Sequence, residues 1–464
     1  MSKEPRGGSR QAELFPRSKR PTVPIEENHR LVQLADRLDW TEMEVRAEEI
    51  RASKLKNAAG RPPKLRALLG AMVLRATRYM PYRVLEDQIR HYAPARYLCG
   101  LTETEWTPDH NTLHDFMELM GEEGARFINE YVVGWAVEEE LADPTVLVAD
   151  TTAQETETPY PNEMGLMAAF IASLGAACNR AGEAFKQFAG EAKSSFEAAK
   201  KKAREYRLFA KTKELKDKAT AQMANIIAAV QQKLARAIKK APSEKQSRLT
   251  GYGKVAKAKV LRLHETMTKL IPQIRYWLDT GWVAAGKIIS LHVPELYAIV
   301  RGKVGKTVEF GLNWGIRRLA GGYLLATVAK TKTELHDSRF AVGAVEQHIA
   351  LIGKPPKAYA YDRGGWSERN VAEVKKLGVK EVGLAPRGNA QWEVSAATKK
   401  RLISERAQVE GGIGTIKHRK YGFNRPAARS AKMMGFCGQS AVLGFNLNKL
   451  VRELAKRDEQ QLVG

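Results

Sequence analysis

Cysteine is nearly absent from this chain: Cys99, Cys178 and Cys437 are the only three among 464 residues. They lie far apart, form no CxxC pair and no zinc-ligand spacing, and their odd number speaks against a disulfide framework. A reducing, cytoplasmic setting is expected. Long apolar runs are missing too. No stretch reaches the roughly 20 apolar residues of a membrane span, and the N-terminus lacks signal-peptide character, so no membrane partner is expected. Acid is the third shortage. The chain carries 52 Asp and Glu against 76 Lys and Arg, a net charge of +24 at pH 7. So large a charge opposes compaction unless a polyanion neutralises it, which makes nucleic acid the first partner to consider. A merely soluble basic protein is the plainer alternative. Hydrophobic residues make up 44% of the chain, which fits a globular protein; its length suggests roughly two to four domains.

The apolar pattern divides the chain. Residues 1–29 are polar and basic and read as a disordered arm. From 30 to 140 the pattern is helical. "PPKLRALLGAMVLRATRYM" opens with prolines and sets Leu65, Leu68, Leu69, Met72 and Val73 on one stripe. "PYRVLEDQIRHY" gives a second helix, and "TPDHNTLHDFMELM" a third, capped by Asp109 or Asn111. Short helices with surplus arginine fit a helix-turn-helix DNA-binding unit; an ordinary helical bundle fits equally. Strand-like runs then appear at 144–150, 306–314, 322–329, 357–362 and 380–386, with helical patterns between and after the later ones. This indicates an α/β domain with a mixed sheet, over 141–162 and 291–450. Residues 163–290 show no strand signal. Within them, about 24 Lys and Arg stand against about 8 Asp and Glu between 180 and 275. The stretch reads as an all-helical insertion whose basic face touches phosphates. Residues 451–464 read as a C-terminal tail.

Two aspartates are expected at strand ends: Asp150 in "VLVAD" and Asp362 in "AYAYD". Functional groups gather at the carboxyl ends of strands in α/β sheets, although a single acid there is usually a turn residue. If the two strands are neighbours, the carboxylates repel unless a cation lies between them, and Mg²⁺ suits such oxygen ligands. A third acid stands in "SERAQVEGGIGTIKHRKYG". Arg406, Glu410 and Lys417 are spaced by four and seven residues and share one helix face. Glu410 can add a third metal-ligand group, while Arg406 and Lys417 hold phosphates. Gly411, Gly412 and Gly414 cost the helix roughly 1 kcal/mol each. That cost is reasonable if the helix lies against a bulky backbone. The plain alternative is a surface helix with one ion pair.

These residues together resemble the DDE transposases of bacterial insertion sequences, of the class with a tyrosine-arginine-glutamate-lysine signature. The likeness rests on Asp150, Asp362, Arg406, Glu410 and Lys417, on "LVADTTAQETETPYPNEMGLM", on "SLHVPELYAIVRGKVGKTVEFGLNW", and on the N-terminal stretch ending "PDHNTLHDF". It spans most of residues 60–450; the insertion is its least typical part. The chain departs from the signature at Ile403, where the family has tyrosine. The resemblance implies an RNase H-like core holding two Mg²⁺ ions, with Mn²⁺ as a substitute, on Asp150, Asp362 and Glu410. It implies cleavage at the element's inverted repeats and joining of the freed 3′-OH to target DNA, by a homodimer in the bacterial nucleoid.

Other motifs fall short. "GKVGKT" at 302–307 lacks the first glycine of a P-loop and is followed by a strand pattern, so it reads as a hairpin turn. His418 and Tyr421 lack the partners of a tyrosine recombinase. Lys303, Lys306, Arg363, Arg387, His418, Arg419 and Lys420 are further candidates for DNA contacts. Trp366 and Trp392 read as core. Two other classes stay open at this stage: a catalytically inactive, repurposed sequence-specific DNA-binding protein, and a basic structural protein whose acids are unrelated.

Overall fold

The structure, a computed structural model, describes residues 25–55, 62–101, 106–157, 161–242, 249, 251–303, 306–329, 334–386, 392 and 394–463. Six helices come first: α1 (Arg30–Arg37), α2 (Trp40–Lys54), α3 (Leu65–Thr77), α4 (Tyr82–His91), α5 (Ala93–Leu98) and α6 (His110–Glu138). Side-chain oxygens cap two of them, Asp39 accepting from Glu42 N at 3.1 Å and Asp109 from Thr112 N at 2.8 Å. Each satisfies one of the amides a helix start leaves unpaired. Gly121, in the left-handed region at φ 62°, kinks α6. The apolar run of α3 is buried from Ala67 to Thr77, so this helix offers no face to DNA. Helix α4 buries only Leu85 and Ile89.

Strand β1 (Asp143–Glu155) follows. Five helices then intervene: α7 (Glu163–Cys178), α8 (Glu183–Glu191), α9 (Lys193–Phe209), α10 (Lys213–Lys240) and α11 (Gly251–Thr280). They enclose a core of their own. In α10, Met223, Ile227, Val230 and Leu234 are fully buried, meeting Phe170 and Leu174 of α7 and Val260 and Met267 of α11. Lys287 is paired with Glu163, so the two ends of this unit meet at its base.

The chain returns as β2 (Tyr297–Lys303), β3 (Lys306–Ala320) and β4 (Leu324–Val328). It continues through α12 (Asp337–Ile352), β5 (Ala358–Tyr361), a 3₁₀ turn (Arg363–Gly365), α13 (Glu368–Lys376), β6 (Glu381–Leu384), α14 (Ala396–Ile416) and α15 (Ala431–Val463). The sheet order is β2-β3-β1-β5-β6, with β4 also on β3. Pairing is antiparallel among β2, β3, β4 and β1, and parallel from β1 to β5 to β6. The fold is therefore mixed α/β, mostly helical with one mixed sheet. Strand β2 gave no sequence signal of its own. Of the P-loop-like glycines, Gly302 lies within β2 and Gly305 outside the described residues; Lys303 pairs with Lys306 where β2 meets β3.

Side chains alternate across the sheet, as strand geometry requires. Leu147, Ala149, Tyr359 and Tyr361 join the core under α12 and the N-terminal helices. Val146, Val148, Ala358 and Ala360 join a second core under α14. Helix α15 knits the layers together. Asn446 Nδ2 donates to Asn129 Oδ1 on α6 and to Leu324 O on β4, both at 2.7 Å. Residues 451–464, set aside above as a tail, continue this helix to Val463. Leu454 is buried, and Arg457 pairs with Glu139 at 2.7 Å.

Gly444 lets α15 press on α3: a Cβ there would stand 1.8 Å from Ala76 O. Gly444→Ala must push the helices apart. We expect it to cost at least about 1–3 kcal/mol, seen as a lower urea midpoint. An unchanged midpoint would mean the two helices do not touch there.

A candidate active site at the ends of two parallel strands

Asp150 and Asp362 are neighbours. Val148 pairs with Ala360 in the parallel β1–β5 ladder; Asp150 lies two residues further along β1, and Asp362 two residues beyond Ala360, just past the end of β5. Both follow the alternation onto the face beneath α14. One expectation needs correcting. Asp150 does not end its strand: β1 runs on to Glu155. The extension is held by β3, with Thr151 opposite Gly315 and Glu155 opposite Gly311. Gln154 also bonds Trp314 Nε1 at 3.0 Å and Met434 O at 2.9 Å. What ends near Asp150 is the parallel neighbour, because β5 stops at Tyr361. Asp362 then caps the 3₁₀ turn, its Oδ1 accepting from Gly364 N at 2.6 Å.

The two charges act on common neighbours. Burial pushes the phenols of Tyr359 and Tyr361 well above their usual range; Asp150 and Asp362 push both further the same way. For Tyr361, Asp337 has the larger share after burial.

Helix α14 spans the sheet above this point. Leu402 rests over Gly383 on β6, and ten residues later Gly412 meets Leu324 on β4. Gly383, Ala360, Val148, Arg318 and Leu324 form one register row across the sheet. The helix follows that row, with Leu402, Val409, Ile413 and Ile416 facing down. On one flank Glu405 and Gln408 bind the guanidinium of Arg318. That guanidinium also approaches Gly322, in the hairpin at the far end of the strands from the aspartates. Arg406, Glu410 and Lys417 occupy the opposite flank, toward Asp150 and Asp362. Arg406 stands 3.8 Å from Glu410, whose side chain is 62% exposed.

The three acids do not close to metal-ligand spacing. Among the described residues, the one group of three His, Cys, Asp or Glu side chains with ligand atoms within 4.8 Å of each other is His114, Asp115 and Glu118 on α6. Like charges drawn closer would repel. The glycines also differ from their expected packing role. Among the described residues, nothing outside the helix's own backbone would lie within 4 Å of a Cβ at Gly411 or Gly414, and the nearest atoms to one at Gly412 belong to the Leu324 side chain. The outer side of α14 beside Glu410 is therefore open space.

The other sequence candidates scatter around this region. Lys417 follows the last residue of α14 and is half-buried, while Arg363, His418, Arg419 and Lys420 are exposed. His418 Nδ1 accepts from Lys420 N at 3.2 Å. Arg387 lies outside the described residues. Trp392 is half-buried and donates to Val382 O at 3.4 Å; Trp366 packs against the larger core.

Asp337 was missed by sequence reasoning. In "ELHDSRF" it reads as an ordinary acid in a first helical turn, favoured there by the helix dipole. In the structure its Oδ1 accepts from Thr151 Oγ1 at 2.8 Å and from the Tyr361 hydroxyl at 3.3 Å. Those residues adjoin Asp150 and Asp362. A Cβ at Gly364 would stand 2.8 Å from both Asp337 Oδ2 and Asp362 Oδ1, so only glycine leaves these carboxylates their places.

A family model described as a transposase domain (DUF772) matches residues 21–119, from before α1 into α6. Comparison with curated proteins returns no match, and neither does comparison with solved structures. The family match covers well under half of the chain and supports a transposase, an enzyme that acts on DNA. Among the described residues, no helix is long and apolar enough to cross a membrane.

Proposed function

We propose, starting from a chain whose N-terminal helices match a transposase domain, that it is a DDE-type transposase. It would cut the ends of an insertion sequence and join the freed 3′-OH to target DNA. One observation carries this reading: Asp150 and Asp362 stand side by side where the parallel β1–β5 pairing ends, on the sheet face that α14 covers. Antiparallel strands continuing into parallel ones, with a helix laid across the face, fit the RNase H-like core that the resemblance implies.

The donors suit a hard cation, since all three candidates offer carboxylate oxygens. Asp150, Asp362 and Glu410 would hold Mg²⁺, with Mn²⁺ as a substitute. Bound there, such cations would supply Lewis-acid chemistry, making water a better nucleophile and offsetting charge on the phosphate. Glu410 is exposed and can turn toward the aspartates. Arg406 and Lys417 hold the phosphates on either side of the cut, and the open space beside Gly411 and Gly414 admits the strand. Pairing of two element ends calls for a homodimer. The test is incubation with labelled element-end DNA. Strand cleavage is expected with Mg²⁺ and none with EDTA; tight binding without cleavage in either Mg²⁺ or Mn²⁺ would sink the proposal.

Asp337 is a positioning residue in this scheme. It ties together, from the back of the sheet, the residues beside the two aspartates. Asp337→Ala is expected to lower the cleavage rate about 10–100-fold with DNA affinity unchanged, the usual scale for groups that orient metal ligands. Asp337→Asn keeps an oxygen that accepts both hydroxyl hydrogen bonds and should retain most activity. Equal losses in the two variants would assign the effect to charge.

A further inference from the structure

Four cations from four separate segments meet around one buried amide. Asn448 on α15 is 8% exposed. Its Oδ1 accepts from Arg30 Nη2, at the start of α1. Its backbone oxygen accepts from Arg452 Nε at 3.1 Å. Its Nδ2 donates to Thr77 O at 3.0 Å, just before Arg78, and to the Tyr421 hydroxyl at 3.4 Å, just after Lys420. Lys420 O in turn accepts from Tyr79 N at 2.8 Å, beside Arg78. All four residues keep exposed surface, although the Arg30 and Lys420 head groups are partly covered.

Two further cations nearby are paired with acids. Arg457, five residues beyond Arg452, bonds Glu139, and Arg37 bonds Asp458. Among the described residues, Arg30, Arg78, Lys420 and Arg452 form no ion pair with a carboxylate. They act instead on one another. The Lys420 ammonium is held below its usual range by burial first, then by Arg30, Arg452 and Arg78. For Arg30, burial likewise leads, and Arg452 adds to it. Fixed like charges of this kind disfavour the compact state unless an anion neutralises them. Guanidinium groups also match phosphate geometry closely.

We propose that Arg30, Arg78, Lys420 and Arg452 form a cradle for the sugar–phosphate backbone of duplex DNA. It draws two cations from the stretch that matches a transposase domain and two from the chain after α14. A bound strand would thus join the N-terminal helices to the helix that carries Glu410. Taking DNA as the polyanion rests on the reading above; the convergence of charge does not. Phosphate contacts position a duplex without reading its sequence.

The test is duplex binding by the full chain in EDTA over a range of salt. Lys420→Gln, Arg452→Gln and the double variant Arg30→Gln/Arg452→Gln are compared with the unaltered protein. Each lost contact should reduce the slope of log K against log salt by about 0.9, equally for element-end and random duplexes. Lys420→Arg, which keeps the charge, should keep the slope. Unchanged slopes in all three variants overturn the cradle, as does a loss confined to inorganic phosphate binding. Lys420 hydrogen-bonds its surroundings through its backbone, and its side chain meets the Tyr421 ring in a cation–π contact, so its variant reads out even if Arg30→Gln unfolds. Cleavage in Mg²⁺ is scored separately. Slopes that fall in a protein cutting nothing spare the cradle and sink the transposase; cutting with unmoved slopes does the reverse.

Discussion

Asp150→Asn and Asp362→Asn should each abolish strand cleavage while leaving DNA binding intact. The expected loss is at least about 10³-fold, on the order of 4 kcal/mol of transition-state stabilisation. Each substitution keeps the shape of the side chain and removes the charge a cation needs. Neither residue packs deeply: both aspartates are half-buried, so stability should move little. Glu410→Gln should behave alike, and its side chain, 62% exposed, has still less part in the fold. The effects should not add. If the three groups hold the same ions as proposed, they act as a unit, and the triple variant should be about as inactive as each single one. The measurement is single-turnover cleavage beside a binding isotherm. Activity within tenfold of the unaltered protein in either aspartate variant would remove that residue from the catalytic centre.

Excising the helical insertion should have the next largest effect. Its core is its own, and the Glu163–Lys287 pair brings its two ends together. A few glycines and serines replacing residues 164–286 should therefore leave the sheet folded. The lost segment contains about 24 cations against about 8 acids between residues 180 and 275. Lys200, Arg204, Arg207, Lys211, Lys213 and Lys216 are exposed along α9 and its corner with α10, and Phe209 is 68% exposed among them. If this surface touches phosphates, affinity near 150 mM salt should fall about 10²-fold or more and the salt slope should drop by several units. A shortened chain that folds and binds with its full salt dependence would make the insertion a charged but idle arm.

Particular elements show how far local pattern reaches. Helix α10 was legible because Met223, Ile227, Val230 and Leu234 recur at helical spacing, and a helix buries whatever shares a face. Strand β5 was legible because "AYAY" is short, apolar and bounded by proline and glycine. The end of β1 was misplaced. Asp150 and the two threonines after it look like a turn, and only the long partner β3 shows that the strand continues. Strand β2 ends in glycine and lysine and pairs with a neighbour reached through a hairpin, so its sequence alone is ambiguous. In α14 the spacing of Arg406, Glu410 and Lys417 put them on one flank. Which way that flank points depends on Arg318 holding Glu405 and Gln408 on the other side.

By itself the sequence determined the alternation of helix and strand, the basic insertion, the excess of positive charge and the identity of three candidate acids. Those properties reside in periodicity and composition, which neighbouring residues carry among themselves. The tertiary structure alone decided that Asp150 lies beside Asp362, that Asp337 braces both from behind, and that Arg30, Arg78, Lys420 and Arg452 surround Asn448. Each of these depends on strand register or on helices packed across long stretches of chain. Such pairings are fixed by the burial of whole faces, and no local run of residues encodes them.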